Sequence, residues 1–161
     1  PLFTASREGH DEVVKILLEN KAQVDVKANH GITALFAASM NGHASTAQML
    51  ITHGANVNDS AGGGLTPLTI ASEKGRIELV TLLILNGANI EAVTNDGGNS
   101  LILSCESGHV SIAKKLLEEG ANPHNCDNEG NTPIRVAMDN GYTELVSIMY
   151  KPPTERLKSM T

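Results

Sequence analysis

The chain has few basic residues and no cluster of them. Its 161 residues include 12 Lys and Arg against 18 Asp and Glu, which gives a formal net charge of -6. A surface that binds nucleic acid or an acidic membrane needs clustered Lys and Arg to neutralise phosphates, so neither partner is expected. The charge balance instead favours a basic partner.

Cysteines and long apolar runs are also scarce. Cys105 and Cys126 are too few for the disulfide framework of a small secreted domain. Two free thiols favour a reducing compartment, which makes the protein intracellular, cytoplasmic or nuclear. No apolar run approaches the ~20 residues of a membrane-spanning helix, and no secretory signal peptide is recognisable. We therefore expect no membrane insertion.

What the chain does contain is a 33-residue period without insertions or deletions. An aliphatic residue, a glycine and an alanine each recur at this spacing. The aliphatic column holds Leu2, Leu35, Leu68, Leu101 and Ile134; the glycine column holds Gly9, Gly42, Gly75, Gly108 and Gly141; the alanine column holds Ala22, Ala55, Ala88 and Ala121. Such a period indicates stacked supersecondary units rather than one globular core.

The third unit shows the secondary structure most clearly. Thr66 followed by Pro67 predicts a helix start, with Thr as the N-cap and Pro in the first helical position. Gly75 ends that short helix. Apolar residues at helical spacing over 77–84 predict a second helix, which ends before Gly87. The Asn- and Gly-rich residues that follow suit a hairpin loop.

Repetition of this unit predicts an all-α solenoid, in which each unit buries its apolar faces against its neighbours. We place the units at about 1–27, 28–60, 61–93, 94–126 and 127–151, with 152–161 as a tail or the start of a further unit. Because the chain opens inside a repeat at Pro1, we expect it to be a fragment of a longer protein. The first unit should then expose some of Leu2, Phe3, Val13 and Leu17.

The residues resemble the ankyrin-repeat family, whose 33-residue units begin with Thr-Pro-Leu-His-x-Ala. The segments that match this motif best are Thr66–Ala71 and Thr132–Ala137. Gly-His pairs and Gly-Ala-Asn segments also fit the family. The pairs start at Gly9, Gly42 and Gly108, and the segments start at Gly54, Gly87 and Gly120. The resemblance covers nearly the whole chain and implies helix-turn-helix units with short β-hairpin loops.

The chain departs from the family pattern at the motif histidine, which every unit lacks. The residues in its place are Phe3, Phe36, Thr69, Ile102 and Arg135. In the family this histidine helps to join adjacent units, so the resemblance implies a less rigid stack here. The fourth unit also has Asn99 and Ser100 in place of Thr and Pro, and the second unit has small residues in its second helix. We expect these two units to be the weaker ones.

Six histidines raise the question of a metal site. His10, His43 and His109 occupy equivalent positions in different units. Packed helices lie ~8–10 Å apart, so these side chains are too far apart to share a Zn²⁺ at ~2 Å bonds. No nucleophile elbow, Gly-rich phosphate loop or fixed carboxylate pair is present. We therefore expect no enzyme activity, no cofactor and no metal.

In ankyrin proteins partners usually dock on the concave side, on the first helices and the loop tips. Carrying this over position by position, the resemblance implies a set of candidate protein-binding residues. They are Arg7, His30, Ile32, Met40, Asn41, Leu65, Glu73, Lys74, Asp96, Glu106, Glu129 and Asp139.

Within this set the acidic residues suggest a lane for a basic segment of a partner. The lane comprises Glu73, Asp96, Glu106, Glu129 and Asp139, and Ile32, Met40 and Leu65 are candidate apolar anchors. The partner would be another protein that offers a basic or mixed apolar and basic segment. The alternative is a solvated face without preference for any partner.

Asn58 resembles the loop asparagine that an oxygen-dependent hydroxylase modifies in many ankyrin repeats, with Leu50 at the usual upstream distance. A purely structural asparagine is the other interpretation.

Two functions remain open. The first is a non-catalytic scaffold that binds another protein on its concave face. The second is a regulatory or targeting module of a larger enzyme, channel or adaptor, whose activity lies outside this segment.

Overall fold

The computed structural model describes residues 1–150 and shows ten α-helices in five antiparallel pairs, one pair in each period. The helices are α1 (Leu2–Glu8), α2 (Asp11–Glu19), α3 (Ala34–Asn41), α4 (Ala44–Thr52), α5 (Pro67–Glu73), α6 (Ile77–Leu85), α7 (Ser100–Glu106), α8 (Val110–Glu118), α9 (Pro133–Asp139) and α10 (Thr143–Tyr150). The expected all-α solenoid is confirmed.

The loops expected as hairpins are narrow turns. In the first of them Ala28 N–H donates to Ile32 O at 2.8 Å, and Ala61 N–H donates to Leu65 O in the same way one unit later. Within residues 1–150 there is no strand, and a single antiparallel bridge joins Val93 to Asn99. Each loop is thus closed at its neck by one or two hydrogen bonds instead of a β-ladder.

Side-chain caps start the first helix of the second to fifth units. Thr33, Thr66 and Thr132 each accept a backbone N–H from the third residue of the helix that follows. Thr66 and Thr69 cap each other reciprocally, because Thr69 Oγ1 also accepts the Thr66 N–H at 2.7 Å. In the fourth unit Asn99 takes the place of threonine and accepts the Ile102 N–H at 3.0 Å. The change from Thr to Asn therefore keeps the cap.

The core runs the length of the stack through the repeated aliphatic columns. Leu50, Leu83 and Leu116 of the second helices are fully buried, as is Leu68 of α5. Neighbouring first helices pack against one another more extensively than neighbouring second helices do. The first helices α1, α3, α5, α7 and α9 thus form the more closely packed side of the stack, which corresponds to the concave side that the resemblance implies.

Polar side chains join consecutive units along the edge where the paired helices turn. His43 Nε2 lies 3.0 Å from Arg7 O, and His109 Nε2 lies 3.0 Å from Glu73 O. Arg76 occupies the same column between them, with its Nε 3.5 Å from Met40 O. Although the motif histidine is missing, the Gly-His pairs provide bonds from one unit to the next.

A second line of bonds joins the loops on the opposite edge. Here one residue per unit reaches the backbone N–H 31 positions later. Asp25 binds Asn56 N, Asn58 binds Asn89 N and Glu91 binds Asn122 N, at 3.2, 2.8 and 2.7 Å respectively. We call these three acceptors the loop ladder.

The first unit exposes apolar surface at its outer end, as expected. Val13 is 47 % exposed, whereas Leu2 is only 7 % exposed. Phe3 and Leu17 are half-buried and line an apolar cavity of about 320 Å³ together with Val26 and its neighbours. Residues 152–161, expected as a tail or the start of a further unit, lie outside the described residues. No helix within 1–150 is long and apolar enough to span a bilayer.

Lys21 adopts a left-handed backbone conformation, with φ of 62°, where later units have glycine. Side chains other than glycine pay about 1 kcal/mol or more for this conformation. We therefore expect Lys21→Gly to raise the free energy of unfolding by about 1 kcal/mol. Urea denaturation of the wild type and the variant measures the change.

The matched control for this prediction is Gly54→Ala. Gly54 has φ of 92° and open space where a Cβ would lie, so the alanine variant should lose a similar amount from backbone strain alone. A Lys21→Gly variant no more stable than the wild type would contradict the prediction.

Candidate protein-binding surface

The apolar anchors proposed from the sequence meet on the concave face. Ile32, Met40 and Leu65 are half-buried and pack around buried Phe36 and Ile70. Ala61, also buried, completes this group, which is separate from the main core. We refer to these six residues as the apolar cluster.

The apolar cluster forms where α3 and α5 face the loops that precede them. Ile32 and Leu65 occupy the same position in consecutive loops, directly before the N-cap threonine of each helix. Phe36 and Ile70 were not predicted as part of this surface. Phe36 could have been predicted from the sequence, because a phenylalanine at the histidine position of the motif places an apolar ring beneath the loop.

An acidic group lies further along the same face, around the end of α7. Desolvation raises the pKa of Glu106, and the negative charges of Asp127, Glu73 and Glu129 raise it further. Three of these four residues belong to the predicted acidic lane. We refer to Glu73, Glu106, Asp127 and Glu129 as the acidic group.

Asp127 was not predicted, because its column holds only small residues in the other units. Its carboxylate accepts hydrogen bonds from the side chain and backbone of Asn131 at 2.9 and 2.8 Å, and from the Glu129 N–H at 2.9 Å. The Asn131 bonds are the main cause that lowers the pKa of Asp127. Asp127 therefore stays charged and acts as a fixed negative neighbour of Glu106.

The other candidate charges are spread along the face and paired locally. Lys74 Nζ lies 2.8 Å from the Glu73 carboxylate, and Arg7 Nε lies 2.8 Å from the Glu8 carboxylate at the first unit. Asp139 faces Arg135 of its own helix at 3.8 Å.

The remaining polar candidates lie at helix ends and loop tips. Asn41 donates to Ala37 O at 2.9 Å, so its side chain completes the end of α3. His30 and Asp96 are exposed at loop tips. Neither Asp96 nor Asp139 is among the charges that raise the pKa of Glu106, so we do not count these two residues in the acidic group.

The helix pairs and the 33-residue period agree with a comparison against models of protein families. The model described as ankyrin repeats (three copies) matches residues 2–94 and residues 68–157. The chain belongs to the ankyrin-repeat family. Comparison with curated proteins finds no match. Ankyrin repeats are generally protein–protein interaction modules and are typically not catalytic.

Many polar side chains of this ankyrin stack form hydrogen bonds with its own backbone, and they do not gather at one site. Within residues 1–150 no group of three His, Cys, Asp or Glu side chains is arranged to hold a metal ion. Cys105 is fully buried, and desolvation raises the pKa of its thiol to about 12. A thiol with so high a pKa is a packing residue rather than a nucleophile.

Asn58, the candidate for hydroxylation, belongs to the loop ladder of the ankyrin stack. Its Oδ1 accepts the Asn89 N–H at 2.8 Å and its Nδ2 donates to Gly87 O at 3.2 Å. Upstream Leu50 is fully buried. The side chain thus has a structural role, and hydroxylation stays a prediction that peptide mass spectrometry of the native protein would test.

Glu106→Gln is expected to stabilise the ankyrin stack at pH 7 and to have less effect near pH 4. Because the folded-state pKa of Glu106 is raised, the folded chain binds this proton more tightly than the unfolded chain does. Stability therefore falls as pH rises from the unfolded pKa through the folded one. Glu106 is exposed, so solvent screening should keep the gain below about 1 kcal/mol.

Urea denaturation at the two pH values measures this effect, with Asp139→Asn as the matched control. The control removes an equivalent charge that faces Arg135, so it should give no gain at pH 7. Equal changes for the two variants would show that net charge, rather than the acidic group, is responsible.

Proposed function

We propose that the protein is a non-catalytic scaffold that binds another protein on its concave face. The observation that supports this most is the apolar cluster and the acidic group on one surface, formed by the first helices and loops. Half-buried apolar side chains on the same face as charged ones are typical of a binding site with an apolar anchor and polar contacts around it.

The partner should present a basic or mixed apolar and basic segment. In the acidic group three carboxylates lie close enough to Glu106 for their negative charges to raise its pKa, and the chain carries a net charge of -6. Such a potential attracts cationic segments and repels nucleic acid. The free thiols of Cys105 and Cys126 support an intracellular location, cytoplasmic or nuclear.

The test is capture of partners from the source cell with residues 1–161 as bait, compared with the Met40→Ala/Glu73→Ala/Glu106→Ala triple variant. Proteins bound on the concave face should be lost with this variant. The matched control is Ile16→Ala/Glu12→Ala/Glu78→Ala, which removes one apolar and two acidic side chains, all exposed, from the second helices. This control variant should still capture the proteins that bind on the concave face.

Circular dichroism of both variants checks that each remains folded. Partners that the control loses and the concave variant keeps would place binding on the convex side and contradict the proposal.

A further inference from the structure

One column of the stack changes character from unit to unit. At the end of each first helix it reads Met40, Glu73, Glu106 and Asp139 from the second unit onward. The loop position of Ile32 and Leu65 likewise becomes Gly98 and Asn131. Along the concave face the apolar residues thus lie at the second unit and the loop of the third, and acidic residues follow from Glu73 at the end of the third unit's first helix onward.

The exposed part of the apolar cluster is small. Phe36, Ala61 and Ile70 are buried, and only Ile32, Met40 and Leu65 keep part of their surface open to solvent. An amphipathic helix needs apolar contacts at i, i+3 or i+4, and i+7. The cluster instead fits one large apolar side chain.

The acidic group lacks a counter-charge at its centre. Lys74 pairs with Glu73 at the edge of the group. The Glu106 carboxylate has no ion pair or hydrogen bond to any residue from 1 to 150, while three like charges act on it. A partner's cation placed there would relieve this repulsion and form charge-assisted hydrogen bonds.

The two features lie between one and two units apart. The apolar cluster lies between the second and third units, and Glu106 ends the first helix of the fourth. Packed helices are ~8–10 Å apart, which puts the two centres about 15 Å from each other. An extended chain rises ~3.3 Å per residue, so about five residues span this distance.

We propose that the concave face recognises a bipartite extended segment, in which one large apolar side chain and one Arg or Lys are about five residues apart. This inference rests on the proposed function and specifies its partner. The apolar side chain lies on Ile32, Met40 and Leu65. The cation lies between Glu106 and the other carboxylates of the acidic group. Charge complementarity at Glu106 and the small area of the apolar cluster select this occupant over an amphipathic helix.

The experiment uses a displayed library of random 16-residue peptides selected on residues 1–161. The enriched sequences should share a large apolar residue and an Arg or Lys with four to six residues from one to the other. Synthetic peptides from the selection are then titrated against the wild type and four single variants. Met40→Ala and Glu106→Gln should each weaken binding about tenfold, as central contacts do.

The matched controls are Met138→Ala and Glu118→Gln. Met138 is 55 % exposed and lies outside the apolar cluster, and Glu118 is an exposed carboxylate at the end of α8, a second helix. Both variants should stay within about twofold of the wild type, as contacts outside the centre of an interface do. Replacing the peptide's cation with Gln should remove the effect of Glu106→Gln, because the two changes delete the same contact.

Each outcome separates the inference from the proposed function. Peptides that need Met40 or Glu106 but show no fixed spacing overturn the bipartite segment and leave concave binding intact. Peptides unaffected by both variants overturn both proposals. If no peptide is enriched, recognition of a linear segment is overturned, and the capture experiment with the triple variant still decides the scaffold function.

Discussion

Glu91→Ala is expected to lower the free energy of unfolding by about 3 kcal/mol, because one carboxylate satisfies three donors from two loops. Its Oε1 accepts the Asn122 N–H at 2.7 Å, and its Oε2 accepts from the side chains of Asn125 at 2.7 Å and Asn99 at 3.2 Å. Asn99 is only 1 % exposed and caps α7. Without Glu91 its amide group would remain buried with an unpaired donor, which adds to the loss.

Urea denaturation measures this loss, and two further variants interpret it. Glu91→Gln keeps the length of the side chain and one acceptor oxygen, so it should retain part of the stability. Glu118→Ala removes an exposed carboxylate at the end of α8 and should change stability by less than about 0.5 kcal/mol. A Glu91→Ala variant as stable as Glu118→Ala would show that the hydrogen bonds of Glu91 do not stabilise the contact between the third and fourth units.

Gly97→Ala is the second large effect, also expected at about 3 kcal/mol from backbone strain and lost loop contacts. Gly97 has φ of 80°, and a Cβ on it would lie 2.8 Å from Asn128 N. That backbone N–H donates to Asp96 O at 2.9 Å, and the Asn128 side chain donates to Asn95 O at 2.9 Å. The added methyl group must therefore push apart two loops that two hydrogen bonds hold together.

Gly130→Ala is the matched control in the next unit. Gly130 has φ of 82° and open space around the position of a Cβ, so this variant should lose only the backbone term of about 1 kcal/mol. The difference between the two variants, measured by denaturation under the same conditions, isolates the contact between loops. Equal losses would mean that the contact around Gly97 contributes nothing.

Much of the fold could be predicted from single residues with a fixed structural role. The 33-residue columns indicate which apolar side chains are buried between units, and Thr66-Pro67 marks the start of α5, where the Thr side chain caps the helix. The bonds between units were harder to predict. His43 and His109 bind carbonyl groups of the preceding unit, a contact that depends on how two units are rotated relative to each other.

The binding surface was predictable only in part, for a related reason. Met40 and Leu65 are 25 residues apart in the chain, and their apolar character suggested anchors, but only the packing of consecutive units unites them with Phe36. Asp127 was missed because neighbouring units have no charge at its position. Its effect on Glu106 arises from the approach of the fifth loop to the fourth helix pair, which sequence columns do not describe.

Two of the lines of bonds between units, at the helix turns and at the loop ladder, follow opposite edges of the stack, and the bonds described in each line join consecutive units. Bending of a stack connected in this way shortens the distances between units along one edge and lengthens them along the other. The deformation is therefore shared among many junctions, each of which moves a little. A segment bound across two units would add a third connection, along the concave side, and would make the stack stiffer.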